Sequence, residues 1–515
     1  MSDGTSLIYN NQKAVYSQFD DAEVWGFGTF FNENGFHTKA LESIRNVDDL
    51  IRLLRDKLRG HYVFVINSGE DIQIITDKLG LINVFYSNAN GVYISTDPVL
   101  VSICSSNVAL AEQEAKEFIL NEATVGNKTI FTGTERLGFG QGITVKNGDL
   151  TTDPIHTYSI EEISFEKHIE RISNYFEQIS EYQGPIAADI SAGFDTRTVA
   201  AVGHATINNL AGNTNPNPND RGADETISPK IASKLSIPLS TIKVGDRYQE
   251  DQQIMIHGTT LGRDVARSSR LPKRMEKKYQ EFDLILGGYG GETLRAKYNG
   301  KSISDYYNAD RSKELFSDSS YRKQLLSKIS SYPDINTNKQ KMNLIYTIDR
   351  MRIWGGSWIT MSSIYGDVLH PFMDWYLINP VFSRSPKDLK NGVYQEKIIE
   401  HFAPQLSGVP INATSKMDQK YRNTKKQLAK CIKKSDILTT TAKKILALAD
   451  STADDKRVSQ SDNIDFNDIE RSVFTTLNIN KDTLQSSADL NTVSRLRSVS
   501  AFINYMKRES SQLDD

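Results

Sequence analysis

Cysteine is nearly absent from this chain of 515 residues: Cys104 and Cys431 are the only two. They form neither a CxxC pair nor a disulfide framework, which excludes a small stapled scaffold and fits a reducing compartment. Long apolar runs are missing too, so no membrane-spanning helix is expected. The opening "MSDGTSLIYNNQ" has neither a charged n-region nor an apolar h-region, so no signal peptide is expected. Charge of one sign is also lacking. Lys and Arg number 61 against 64 Asp and Glu, a net −3, which leaves no global field for a polyanion. The expectation is a cytoplasmic chain with a real core and, from its length, two or three domains.

What is present changes texture along the chain. Up to about residue 160, short runs rich in Val, Ile, Tyr and Phe ("HYVFVI", "IQIIT", "INVFYS", "GVYIST") alternate with turn-prone "NSGED", "DKLG" and "NANG". That is the pattern of an antiparallel meander, and "ITVKNGDLTT" reads as a hairpin turning at Asn-Gly. "VDDLIRLLRDKL" has the apolar spacing of one helix face. From about 185, strand-like "PIAADIS", "LSTIKV" and "FDLILGG" alternate with helical "TRTVAAVGHA" and "ETISPKIASKLSI". Strands alternating with helices predict a parallel sheet wrapped by helices. From about 310 helical patterns dominate, and the lysine-rich stretch 416–445 reads as a solvated helix face.

Two strand ends carry candidate chemistry. In "DISAGFDTRTVAAVG" (189–203), small Ser191, Ala192 and Gly193 let backbone N–H groups approach an anion, and the helix that follows aims its N-terminus at the same place. Asp195 would repel a phosphate there unless a divalent cation lay between them; a helix cap explains it equally well. In "LILGGYGGETLR" (284–295), Gly287, Gly288, Gly290 and Gly291 follow an apolar run, with Tyr289 among them and Glu292 after. If the two strands are neighbours, their carboxyl ends would form a pyrophosphate–metal site. Asp367, in "YGDVLHPFMDWYLINPVF", lies in an apolar setting just before Pro371.

In order and spacing these segments resemble the asparagine synthetase superfamily, including β-lactam synthetases. The family's SGGxDS loop is similar to "SAGFDT", with Ser191, Gly193 and Asp195 matching and Ala192 and Thr196 as small replacements. Its SGxGxDE loop is similar to "GGYGGET", with Glu292 for Asp and Thr293 for Glu, and "VEARVPFLD" is similar to "GDVLHPFMD". "LRGHYVFVI", "DKLGLINVFYS", "GVYISTD" and "TIFTGTERLGFGQGITV" resemble the family's glutaminase domain, although Ser2 stands where its nucleophilic cysteine would be exposed, and its glutamine-binding stretch is missing.

The resemblance implies an α/β and α+β chain in three parts. Residues 1–165 would be a degenerate Ntn-type antiparallel sandwich. Residues 166–415 would be a doubly wound ATP-pyrophosphatase domain, and 416–515 its helical extension. It implies ATP and Mg2+ as cofactors. Ser191, Ala192, Gly193, Asp195, Thr196 and Gly288 would hold the nucleotide, and Asp195 and Glu292 the metal. Tyr289 with Asp367 would manage an amine proton, and Lys416, with Lys420 and Arg422 close behind, would neutralise pyrophosphate. The partners would be a small carboxylate and an amine, with a homodimer left open and neither nucleic acid nor membrane expected. A non-catalytic nucleotide binder and a nucleic-acid-modifying pyrophosphatase-loop enzyme are the alternative readings.

Overall fold

The computed structural model describes residues 14–19, 22–69, 71–106, 109–121, 123–124, 126–156, 158–216, 222–242, 271–296 and 338–411, with Leu496 and Val499. Its first half is antiparallel. Strands β1 (Val15–Phe19), β2 (Ala22–Asn32), β3 (Gly35–Phe36), β4 (Arg59–Asn67) and β5 (Asp71–Thr76) lead to β6 (Phe85–Ser87), β7 (Tyr93–Ser95) and β8 (Glu135–Arg136), then β9 (Gln141–Lys146) and β10 (Asp149–Pro154). The main sheet runs β1-β2-β4-β5-β9-β10 with β3 on β2, and β7-β6-β8 form a second, smaller sheet. The Asn-Gly hairpin is there: Lys146 faces Asp149 across Asn147 and Gly148. Both turn residues have positive φ, as a two-residue turn of matching twist requires.

Period-two alternation gives the main sheet two buried faces. Phe30, Tyr62, Phe64, Ile66 and Ile75 face Leu50, Leu53 and Leu54 of the helix Val47–Asp56. That helix starts at Asn46, whose side chain accepts the Asp49 N–H, with two aspartates in its first turn. Phe31, Val63 and Ile74 point the other way, into a core shared with the second half of the molecule.

The second half starts with the helix Phe165–Ser180, capped by Ser164, and is built on five parallel strands. They are β11 (Ile186–Asp189), β12 (Ala211–Thr214), β13 (Leu239–Thr241), β14 (Leu284–Leu286) and β15 (Asp367–Leu369), in the order β13-β12-β11-β14-β15. The chain steps outward from β11 to β13, then returns to the other side of β11 with β14. The switch in direction therefore falls between β11 and β14.

Edge strand β15 does not face solvent. Its outward Val368 N–H donates to Thr29 Oγ1 at 2.9 Å and its His370 N–H to His61 Nε2 at 2.9 Å. Thr29 and His61 face each other on β2 and β4, so side chains of one sheet satisfy the open edge of the other. Among the described residues, no helix is long and apolar enough to cross a membrane.

Candidate active site

The carboxyl ends of β11 and β14 lie side by side, since Ala188 pairs with Leu286. Crevices at such switch points are where open parallel sheets bind ligands. The segment after β11 opens the helix Phe194–Thr206, with Gly193 as a cap that supplies no side-chain bond. The segment after β14 turns through Gly290, at φ 86°, into a short 3-10 turn, Gly291–Arg295.

The two segments pack so closely that side chains are excluded. A Cβ on Gly288 would lie 2.6 Å from Thr196 N, and one on Gly291 would lie 2.5 Å from Asp195 Oδ1. Packing between the loops is thus sufficient to require glycine at both positions. Within the first loop, Ser191 N–H donates to Thr196 Oγ1 at 3.1 Å, and the two hydroxyls are 2.7 Å apart. Ala192 N–H donates to Asp224 Oδ1 at 2.7 Å, and Gly193 N–H to Ser191 Oγ at 3.3 Å. Buried Arg197 holds the loop's base by donating to the Ala192, Val409 and Pro410 carbonyls.

Asp195 and Glu292 meet around one guanidinium. Arg295 Nη2 donates to Asp195 Oδ2 at 2.6 Å and stands 3.7 Å from Glu292 Oε1, while Gln395 Nε2 donates to Asp195 Oδ1 at 2.9 Å. Burial, then the Glu292 charge, push the Asp195 carboxyl up to about 6 despite Arg295 and Gln395. Among the described residues, two acids and one guanidinium meet here.

Asp189, at the end of β11, accepts from Lys278 Nζ and from Asn213 Nδ2. Burial opposes its charge, yet Lys278 and Arg274 hold its carboxyl below the usual range. Burial brings the Lys278 ammonium down to about 8, with Asp189 opposing.

Tyr289 and Asp367 are not brought together. Asp367 faces Leu284 at the amino end of β15, whereas Tyr289 lies beyond the carboxyl end of β14, so the length of the sheet separates them. Asp367 belongs to the joint between the halves. Thr29 Oγ1 donates to it at 3.0 Å and Tyr182 OH at 2.7 Å, and His37 Nε2 lies 3.3 Å away.

The neighbour of Tyr289 is His370, at the carboxyl end of β15. The rings are 4.6 Å apart between centroids, and Tyr289 N–H donates to His370 Nδ1 at 3.2 Å. Burial, then the neighbouring His61, bring the His370 imidazole down to about 3. It is neutral at pH 7, and its accepting Nδ1 places the ring proton on Nε2. Trp354 closes the other side of Tyr289 at 5.5 Å. Lys416, Lys420 and Arg422 lie outside the described residues.

Arg295, His370, Gln395 and Lys278 are among the contributors to this region that were not anticipated. Arg295 stands three residues after Glu292, a helical spacing that offered a signal. His370 stands in "LHPF", directly before a proline. Gln395 reaches Asp195 across 200 residues, and Lys278, in "KRMEKKYQE", looks like an exposed face; neither carried a readable signal.

No protein-family model matches the chain, and no curated protein matches it. Among solved structures it is similar to the glutamine phosphoribosylpyrophosphate amidotransferase from B. subtilis complexed with ADP and GMP. The identity is 10%, the match covers 47% of this chain and 52% of that one, and the TM-score is 0.18. The match spans about half of that protein's length, and a superposition this loose carries no weight for activity.

Proposed function

We propose that the parallel half is an ATP- and Mg2+-dependent amide-forming unit of asparagine synthetase type. A carboxylate oxygen attacks the α-phosphorus of ATP and pyrophosphate leaves. An amine then attacks the acyl carbon, and AMP leaves as the amine loses a proton. The observation that carries this reading is the meeting of two glycine-rich, acid-bearing segments at the β11–β14 switch point. The backbone of Ser191 to Thr196 lines the pyrophosphate, with the helix N-terminus behind it.

Asp195 and Glu292 are the residues that would hold Mg2+. They fit the ion because two partly buried carboxylates from separate loops converge on one point, each within reach of the same Arg295 guanidinium. Bound there, the ion would neutralise triphosphate charge. Tyr289 is the group proposed to take the amine proton, with neutral His370 fixing its backbone in place of the acid expected from the sequence. Lys416 is retained as the cation facing pyrophosphate. The antiparallel half would be a glutaminase-like Ntn unit kept as a support, so the amine would be ammonia, a group within the substrate, or a second small molecule.

One feature favours a nucleotide binder without turnover: Arg295 and Asp224 already engage Asp195 and the Ala192 N–H. Pyrophosphate release from ATP and Mg2+ across a panel of carboxylates, with and without amines and with Asp195→Ala alongside, separates the two. Release that requires one acid and vanishes in the variant supports the ligase. ATP binding without release for any acid supports the binder, and absence of ATP binding removes both.

A further inference from the structure

Away from the switch point, a cavity of about 300 Å3 lies where the two halves meet, within the size range of small-molecule sites. Its walls come from the start of β4, the turn after β5, the connection near Glu161 and the segment after β15. Four carboxylates line it, and each is already engaged. Asp77 accepts the Leu79, Gly80, Leu81 and Tyr62 N–H groups. Asp374 accepts from Gly60 N–H, Tyr175 OH and Tyr376 N–H. Glu161 accepts from Arg171 and Asn379, and Asp56 pairs with Arg55 at the rim.

The cations are hydrogen-bonded less completely. Arg171 is spent on Glu161, but Arg59 donates only to the Asp56 and Leu58 carbonyls, at 3.2 Å each. Neither Arg59 nor Lys78 is in ion-pair contact with an acid among the described residues, although Asp374, Asp56 and Glu161 act on Lys78 from farther off. Arg59 is nonetheless fixed, because its guanidinium lies 4.1 Å from the centre of the Tyr376 ring, which Arg171 also approaches at 4.7 Å. Lys78 is half-buried and its ammonium is held below its usual range, first by burial and then by the Arg59 charge, with Asp374, Asp56 and Glu161 opposing. The oxygens of the acids are taken by N–H and O–H donors, whereas Arg59 and Lys78 keep donors open to an added anion, and a planar guanidinium with a point ammonium suits paired oxygens.

We propose that this cavity is a binding site for a small dianion, held by Arg59 and Lys78 and separate from the nucleotide crevice. Because Arg59 belongs to the first half and Tyr376 to the second, the bound anion ties the halves together and raises the stability of the whole chain.

The test is calorimetry and thermal melting of the full chain with inorganic phosphate, pyrophosphate, succinate and glutarate in turn, which separates a phosphate from a dicarboxylate ligand. Arg59→Gln, Lys78→Gln and Asp195→Asn are run in parallel, each checked for native circular dichroism. The expected result is millimolar or tighter binding of at least one probe with a rise in melting temperature. It should weaken about tenfold or more in Lys78→Gln and Arg59→Gln and be unchanged in Asp195→Asn. Lys78 is half-exposed, so its variant reports even where Arg59→Gln fails to fold. Binding that is lost in Asp195→Asn and kept in the other two would place the anion over the β11–β14 loops and overturn the proposal. So would failure of all four probes to bind, whatever the outcome of the pyrophosphate-release assay.

Discussion

Asp195 is the side chain in which stability and the proposed chemistry meet. It is wedged against Gly291, neutralised by Arg295 and oriented by Gln395. Replacing Gly291 by alanine puts a methyl group 2.5 Å from its carboxylate and 2.6 Å from its Cβ, so the loop itself has to move. Overpacking of this kind costs about 1–3 kcal/mol. We expect Gly291→Ala to lower the unfolding free energy from urea denaturation by that amount and to weaken ATP binding in calorimetry. That loss of stability with ATP binding intact would separate Asp195 from the nucleotide. Tyr289 gives the complementary case. It lies between His370 and Trp354, and no hydrogen bond of its hydroxyl is formed among the described residues. Tyr289→Phe removes only an oxygen, so the packing should survive. Loss of a positioned base lowers rates by about 10²-fold or more. Amide formation is expected to fall on that order while acid-dependent pyrophosphate release persists, as single-turnover kinetics would show.

The behaviour of β15 explains what could and could not be read before the fold was known. The apolar runs of β11 and β14 ending in small residues, and the Asn147-Gly148 turn, announced themselves because their requirement is local: backbone approach or positive φ. Asp367 did not, because its role depends on which end of a three-residue strand it occupies and on what covers that strand. Both are set by Thr29 and His61, more than 300 residues away. Gln395 and Lys278 were hidden for the same reason, since each acts through tertiary contact with no local pattern. The consequence is testable. Asp367→Ala removes the acceptor of Thr29 and Tyr182 hydroxyls and the partner of His37. Breaking a largely buried network by deleting one member costs about 3 kcal/mol. Urea denaturation of Asp367→Ala should show that loss, while the pH profile of pyrophosphate release keeps its shape. A variant with wild-type stability but an altered profile would return Asp367 to the catalytic machinery.

Across the molecule, buried histidines set the response to acid. Burial brings His61, His156 and His168 down to about 4 and His370 to about 3. In the unfolded chain each titrates near 6.5, so between about pH 6.5 and 4 the unfolded state binds protons that the native state refuses. Stability therefore falls as pH drops through that window. Three acids among the described residues oppose this, Asp97 being raised by burial as well. Burial pushes Asp77 up to about 7, and burial with Glu292 pushes Asp195 up to about 6. Each is protonated in the native state and ionised in the unfolded state above about pH 4, which favours folding as pH falls. Near pH 5 four histidines stand against Asp77 and Asp195, a difference of two protons that Asp97 reduces further, so about 3 kcal/mol per pH unit is an upper bound. Glu161 and Asp189, both held below the usual range, extend the loss to lower pH. Urea midpoints at pH 8, 7, 6 and 5 should thus be level between 8 and 7 and fall progressively below. A midpoint that stays flat or rises toward pH 5 would mean that the histidines at the joint between the sheets carry charge in the folded protein, and that the neutral His370 beside Tyr289 has to be abandoned.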